Sequence, residues 1–213
     1  MASIYDKASL VMIPSGSKEG KLYSQKPVSG DGDFTFSRST MATRVNADGN
    51  IEKETQNLLL QSNSFDTTWI NNLGGAVTGG QAGYDGTNNA WEINKNTTSF
   101  RRIEQSGLSL SGIWTLSVYA KAGTRDIIAL RNFVGGDRAE FNLTSGTITN
   151  QGGGTIIARS MTDVGNGWYR CSITCNSTST QIQIYVDWNQ TIGGNIYIQD
   201  AQLEQGLVAR DYI

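Results

Sequence analysis

Histidine is absent from this sequence. Its absence removes Ser-His and Cys-His nucleophile pairs, histidine general bases and the usual zinc hydrolase sites. What remains for an enzyme is a carboxylate pair of the glycosidase kind. The acidic residues are scattered, with Asp31 and Asp33 in SGDGDF and Asp200 and Glu204 in IQDAQLEQG. They read as turn formers and solvated charges, so the expectation is a non-enzyme that needs no cofactor.

Cysteine is almost as scarce. Cys171 and Cys175 are the only two, both in GNGWYRCSITC. In an extended strand successive side chains point to opposite faces, which puts Tyr169, Cys171, Ile173 and Cys175 on one side. Four residues at about 3.3 Å each then separate the cysteines by about 13 Å. A disulfide needs Cα atoms within about 7 Å, and zinc reads best from paired C-x-x-C spacings or added histidines. The pair is therefore expected to be two small buried hydrophobes on a core face.

Positive charge is not in excess either: 17 Lys and Arg stand against 19 Asp and Glu, a net charge of −2. No global positive field is available to hold a phosphate backbone, which argues against nucleic acid as a partner. Long apolar runs are missing. The N-terminal run Leu10 to Ile13 is four residues long, too short for a signal-peptide core. Nothing approaches the roughly 20 apolar residues that cross a bilayer, so no membrane insertion is expected.

What the chain does have is 25 glycines among many Asn, Ser and Thr, a balance suited to short strands and tight turns. WTLSVYAKA places Trp114, Leu116, Val118, Ala120 and Ala122 on one face, with Thr115, Ser117, Tyr119 and Lys121 on the other. QIQIYVDW places Ile182, Ile184, Val186 and Trp188 inward and Gln181, Gln183, Tyr185 and Asp187 outward. AEFNLTSGTIT reads as a hairpin, and IIALRNF, GTIIARS and GNIYIQDAQL add further strands. The spacing predicts an all-β protein, an antiparallel β-sandwich with polar outer faces.

Residues 1–56 differ: they hold both prolines and almost no sustained apolar alternation. Short extended pieces are expected at DFTFSRS and at TRVNADGNIEKE, the latter a hairpin about Asp48-Gly49. Such a segment has little to bury alone, which predicts an extended docking segment over 1–56 and a sandwich domain over 57–213.

Two resemblances cover nearly the whole chain. SLVMIPSGSKEGKLYSQKP followed by GDFTFSRSTMATRVNADGNIEKE resembles a leader found at the start of many tailed-bacteriophage virion proteins. NLLLQSNSFDTTW, YDGTNNAW, WTLSVYAKAG, FNLTSGTI, VGNGWYRCSIT and IYIQDAQLEQGLVARDYI resemble, in order, a module of phage tail fibres and other virion appendages. The second resemblance implies a jelly roll similar to carbohydrate-binding modules. The family often continues beyond the motif that here reads ARDYI, so a short appendage is expected: a head decoration or fibre protein, or a tail adaptor, on the virion surface and made in the host cytoplasm.

The resemblance implies capsid, portal or tail proteins as partners, docked through Leu10, Ile13, Lys21, Leu22, Tyr23, Phe34, Phe36 and Arg44. It implies a homo-oligomer, with a trimer and association with a pentameric or hexameric unit both open. A host-surface glycan is the alternative partner. Sugar sites on such folds pair aromatic rings with directional polar groups, which makes the outward residues Trp168, Tyr119, Tyr185, Arg131 and Asp187 the candidates. Related jelly rolls often hold a structural calcium through an aspartate like Asp200. Calcium takes six to eight oxygens, and the alternative is a bulge aspartate that changes strand register.

Overall fold

Alternation of apolar and polar residues builds the larger part of the molecule. The computed structural model describes residues 4–18, 21–35, 43–45, 51–53, 56–96, 101–132, 137–150, 153–188 and 193–213. The chain divides into two compact units, residues 1–54 and 55–213.

In the first unit a short helix, α1 (Ile4–Lys7), precedes β1 (Val11–Lys18), β2 (Lys21–Lys26) and β3 (Phe34–Thr35), which form a three-stranded antiparallel sheet. β4 (Thr43–Val45) and β5 (Ile51–Lys53) pair as a second, two-stranded sheet. The hairpin expected over TRVNADGNIEKE has its paired arms in β4 and β5, while its turn lies outside the described residues. The strand expected over DFTFSRS is seen at Phe34–Thr35, Asp33 precedes it outside the strand, and residues 36–39 lie outside the described residues. β1 and β2, which the sequence reading did not single out, pair antiparallel with register shifts between Val11 and Met12 and between Met12 and Ser17, an irregular ladder in keeping with this segment's weak alternation. No side chain described in this unit is fully buried.

The second unit holds β6 (Ile70–Asn71), β7 (Val77–Gln81), β8 (Ala90–Lys95), β9 (Arg102–Leu110), β10 (Ile113–Ala122) and β11 (Ile127–Asn132). It continues with β12 (Arg138–Asn142), β13 (Thr147–Asn150), β14 (Ile156–Gly165), β15 (Trp168–Asn176), β16 (Ser179–Val186) and β17 (Gly194–Gln205). They form two six-stranded antiparallel sheets packed face to face, in the orders β14-β15-β10-β17-β8-β7 and β13-β12-β11-β16-β9-β6. The central order β8-β17-β10-β15 opposite β9-β16-β11-β12, with the chain passing repeatedly between the sheets, is that of a jelly roll.

The core includes most of the residues read as inward from alternation, with Trp188 the exception, and adds Leu59, Phe65, Trp69, Leu73, Ile93 and Ile103, which that reading did not name. The first sheet contributes Leu116, Val118, Ala120, Cys171, Ile173, Cys175, Ile196, Ile198 and Leu203. The second contributes Ile103, Ile128, Leu130, Phe141, Ile182, Ile184 and Val186. Each of the larger side chains contributes about 1.5–3 kcal/mol on leaving water. The β14–β15 hairpin turns on Asn166-Gly167, both at positive φ (54° and 78°). This is the two-residue turn whose twist matches paired strands, and Asn-Gly is the dipeptide that adopts it most readily.

Asn57 marks where this fold begins. Its side chain donates to the Ala201 carbonyl and accepts from the Leu203 amide, each at 3.0 Å.

Cys171 and Cys175 are free thiols on the inner face of β15. Burial pushes both thiols up, Cys175 to about 12, so neither carries thiolate at neutral pH. A thiol reagent at pH 8 is expected to leave both untouched in the native protein and to modify both once the protein is unfolded. Rapid labelling of the folded state would contradict the packing described.

Candidate functional site

The two outer faces of the sandwich differ in what covers them. On the first sheet, β10 and β15 direct Thr115, Ser117, Tyr119, Arg170, Ser172 and Thr174 outward in register. The sequence predicts a solvated polar face here. The structure instead buries Thr115, Ser117, Ser172 and Thr174, because the segment after β17 lies across them. Thr115 Oγ1 donates to the Gly206 carbonyl at 2.8 Å and Thr174 Oγ1 to that of Leu207 at 3.1 Å. The Arg210 amide donates to Glu204 at 2.9 Å and the Ile213 amide to Gln202 at 3.0 Å.

The other end of this face is closed by the loop that carries Tyr84. Its ring stacks on Tyr119 with centroids 3.8 Å apart and planes 6° from parallel, and it meets Trp168 edge-on at 6.3 Å. Gly83 allows the approach, since a Cβ there would lie 2.2 Å from Gln199 Oε1. Trp168 and Tyr119 do point outward, but they are 1% and 9% exposed. One face of Tyr119 is taken by Tyr84, and the Arg170 guanidinium lies 5.3 Å from its centroid. A groove of about 390 Å³ remains between Ser160, Thr162 and Ser172 on one side and Leu207 and Val208 on the other. Tyr119 lines one end of it, with Tyr84 stacked on its ring.

Tyr84 is anchored by Asp200, to which its hydroxyl donates at 2.9 Å. Asp200 sits at φ +51°, where β17 slips against β10 so that Asp200 and Ala201 together oppose Val118. The aspartate proposed for calcium is thus a β-bulge residue that holds a covering loop. Among the described residues no group of three or more acidic, cysteine or histidine side chains is placed to hold a metal.

The second sheet carries a different arrangement. Glu104 on β9, Gln183 and Tyr185 on β16, Arg131 on β11, and Arg138 and Glu140 on β12 all face outward, in register across four neighbouring strands. Arg131 donates to Gln183 Oε1 at 2.8 Å and to the Tyr185 hydroxyl at 3.2 Å. Tyr185 donates to Gln183 Oε1 at 2.9 Å, and Gln183 to Glu104 Oε2 at 2.9 Å. Arg102 ion-pairs with Glu104, and Arg138 with Glu140 at 2.7 Å.

Trp188 completes this face. Strict alternation along β16 predicts it inward. In the structure β16 ends at Val186, and Asp187 takes a left-handed conformation, φ +56°. That break turns Trp188 to the outer side, 4.7 Å from Tyr185 between centroids, with the Arg138 guanidinium 4.2 Å from its ring centroid. The indole is half-buried, with the Arg131 guanidinium also 5.8 Å from its centroid, and among the described aromatics of this face it is the one that reaches solvent in part. Tyr185, itself buried, lies in the network beside it.

Of the five glycan candidates, the structure brings together Tyr185 and Arg131. Asp187 is adjacent in sequence but buried, its carboxylate held by Arg125 Nε at 2.8 Å. Near this pair lies the fully buried Lys95, whose pKa is lowered by burial, with the charge of Asp187 opposing the shift. Trp168 and Tyr119 belong to the other sheet. The sequence reading missed Trp188, Arg102, Glu104, Arg138 and Gln183. Period-two counting already placed Gln183 outward, and on this face the count failed at the Asp187-Trp188 step.

Of the docking residues, Leu10, Tyr23 and Phe34 are exposed, while Lys21 and Leu22 are partly so. Lys21 pairs with Asp33 at 3.0 Å. The side chains of Ile13, Phe36 and Arg44 lie outside the described residues.

No protein-family model matches the chain, and no curated protein matches it significantly. Among solved structures, it is similar to the tripod from the baseplate of bacteriophage Tuc2009, with a TM-score of 0.32 and 13% identity over 75% of this chain. The match spans 64% of that chain, less than two thirds of its length.

Burial raises the pKa of Asp200, with Asp85 adding to the rise and the Tyr84 hydrogen bond opposing it. The folded state therefore holds this proton more tightly than the unfolded chain. The group favours folding at low pH, and that contribution is lost as pH rises from the unfolded value through the folded one. Asp200→Asn keeps an acceptor for Tyr84 and tolerates positive φ. It is expected to raise the melting temperature at pH 7 and to have no effect well below pH 4. A variant less stable than the parent at pH 7 would show that the ionised carboxylate is required.

Proposed function

We propose that this protein is a component of a tailed-bacteriophage particle that docks through residues 1–56 and displays the jelly-roll sandwich, acting as a binding or structural element and not as an enzyme. The observation that carries the reading is the ordered run of leader and module motifs along the chain. The exposed apolar side chains of the first unit support it: Tyr5, Leu10, Tyr23, Val28 and Phe34 stand exposed in a unit whose described side chains bury nothing fully. Exposed apolar side chains mark a protein contact where they gather into one patch, which is what this reading expects of them. The expected setting is a repeated, symmetric position on the virion, against capsid, portal or tail subunits.

A second reading is favoured by one specific arrangement. An accessible indole flanked by guanidinium and carboxylate groups is the combination that holds a sugar, the ring stacking on its apolar face and the polar groups bonding its hydroxyls. On this reading the outer face of the second sheet binds host-surface glycan and assists adsorption.

Removal of residues 1–56 leaves Asn57 and its bonds to β17 in place, so the sandwich is expected to remain folded, with its far-ultraviolet spectrum and cooperative melting retained. The truncated protein is expected to be missing from purified virions. Full occupancy on the particle would overturn the docking reading.

For the second reading, the protein is expected to retain glycans on an array in a manner that Trp188→Ala weakens by about five- to tenfold, since aromatic contacts contribute ~1 kcal/mol beyond area. Binding untouched by Trp188→Ala would remove this face from consideration.

A further inference from the structure

The hydrogen-bond ledger of the second sheet's outer face is unbalanced between donors and acceptors. Glu104 accepts from Asn72 at 3.2 Å, from Gln183 at 2.9 Å and from Arg102. The Gln183 amide oxygen accepts from both Arg131 and Tyr185. These acceptors are spent inside the network, and Glu104 and Gln183 are buried. Among the described residues of this face, the partly exposed Glu140 carboxylate is then the main charged acceptor left for a neutral sugar, whose hydroxyls donate as well as accept.

The donors lie nearer to solvent. The Arg102 side chain is 28% exposed against 9% for its partner Glu104, and Arg138 is 26% exposed against 17% for Glu140. Arg102 and Arg138 each direct Nε at the paired glutamate, which leaves the two Nη groups of each guanidinium outside that bond, with the Arg138 group packed against the Trp188 ring. Three arginines and two glutamates lie on the described strands of this face, a positive balance on a chain whose net charge is −2. In both pairs the guanidinium is more exposed than the carboxylate, so an approaching ligand has more contact with the positive partner.

From this geometry we infer that the face selects anionic glycans: a saccharide that carries carboxylate or phosphate, with a ring on Trp188 and its charge between Arg102, Arg131 and Arg138. Guanidinium groups favour such oxyanions through charge-assisted, often paired hydrogen bonds. The ring contact with Trp188 distinguishes this from simple attraction to any polyanion. The inference rests on the glycan reading above and names the class of ligand.

The test is a calorimetric titration of the full chain at low ionic strength with three probes. These are trigalacturonic acid, its fully methyl-esterified counterpart, and a glycerol-phosphate oligomer bearing sugar substituents. The acid or the phosphate oligomer is expected to bind at least fivefold more tightly than the ester, with the preference shrinking as salt rises. A uronate-only result assigns the carboxylate source, and a phosphate-only result assigns the phosphodiester source.

Arg138→Gln is expected to abolish the preference, and Trp188→Ala to weaken every probe. A melting curve on each variant confirms that it is folded. If acid and ester bind equally, or the ester binds better, the inference falls and the glycan reading stands. If no probe binds and an array of neutral and acidic glycans is also silent, both fall. If inorganic polyphosphate binds as well as the sugars and Trp188→Ala changes nothing, the face is an unspecific anion surface and the inference is overturned.

Discussion

The dry interior shared by two six-stranded sheets is what every other feature of the sandwich depends on. One side of each strand must face that interior, so the opposite side is committed to an outer face, and a slip of one residue would exchange the two. Leu116, Val118 and Ala120 against Ile182, Ile184 and Val186 hold the register, and Tyr119 and Tyr185 are thereby sent to opposite surfaces. The chemistry of each outer face is a by-product of packing the inner one.

Two aspartates interrupt this rule, and both interruptions have consequences. At Asp187 the left-handed backbone ends β16 and turns Trp188 out of the core pattern, onto a face that already holds three guanidinium groups. At Asp200 the bulge in β17 presents a carboxylate to Tyr84, whose ring closes over Tyr119 and Trp168. One break opens an aromatic to solvent, and the other covers two. Left-handed conformations are accessible to aspartate with less strain than to most residues, which makes it a suitable residue at both points.

The core of β10, β11, β12, β15 and β16 was legible in the sequence because apolar alternation is a local signal, whereas Phe65, Trp69 and Leu73, which enter the core from outside any strand, were not. Cys171, Ile173 and Cys175 could be assigned to the interior from their spacing and the missing partners for metal or disulfide. What lies over the outer faces was not legible. Tyr84 reaches Asp200 across 116 positions of chain, and the bonds from Thr115 to Gly206 and from Gln202 to Ile213 arise only after β17 is in place. Burial of Trp168 and Tyr119 follows from those distant contacts, so outward direction was read correctly while exposure was not. The second face was half legible: Arg131 and Tyr185 follow from alternation, whereas Trp188 depends on one backbone angle at Asp187.

The account's central claim is that the first unit holds the particle and the outer face of the second sheet is left open to bind. A cryo-EM reconstruction of the intact virion, with this chain traced, measures that directly. The account predicts the first unit pressed against neighbouring virion subunits, with Trp188, Arg102 and Arg138 facing solvent. A map in which those three side chains are packed between subunits would contradict it and would make the sandwich a cement between neighbours.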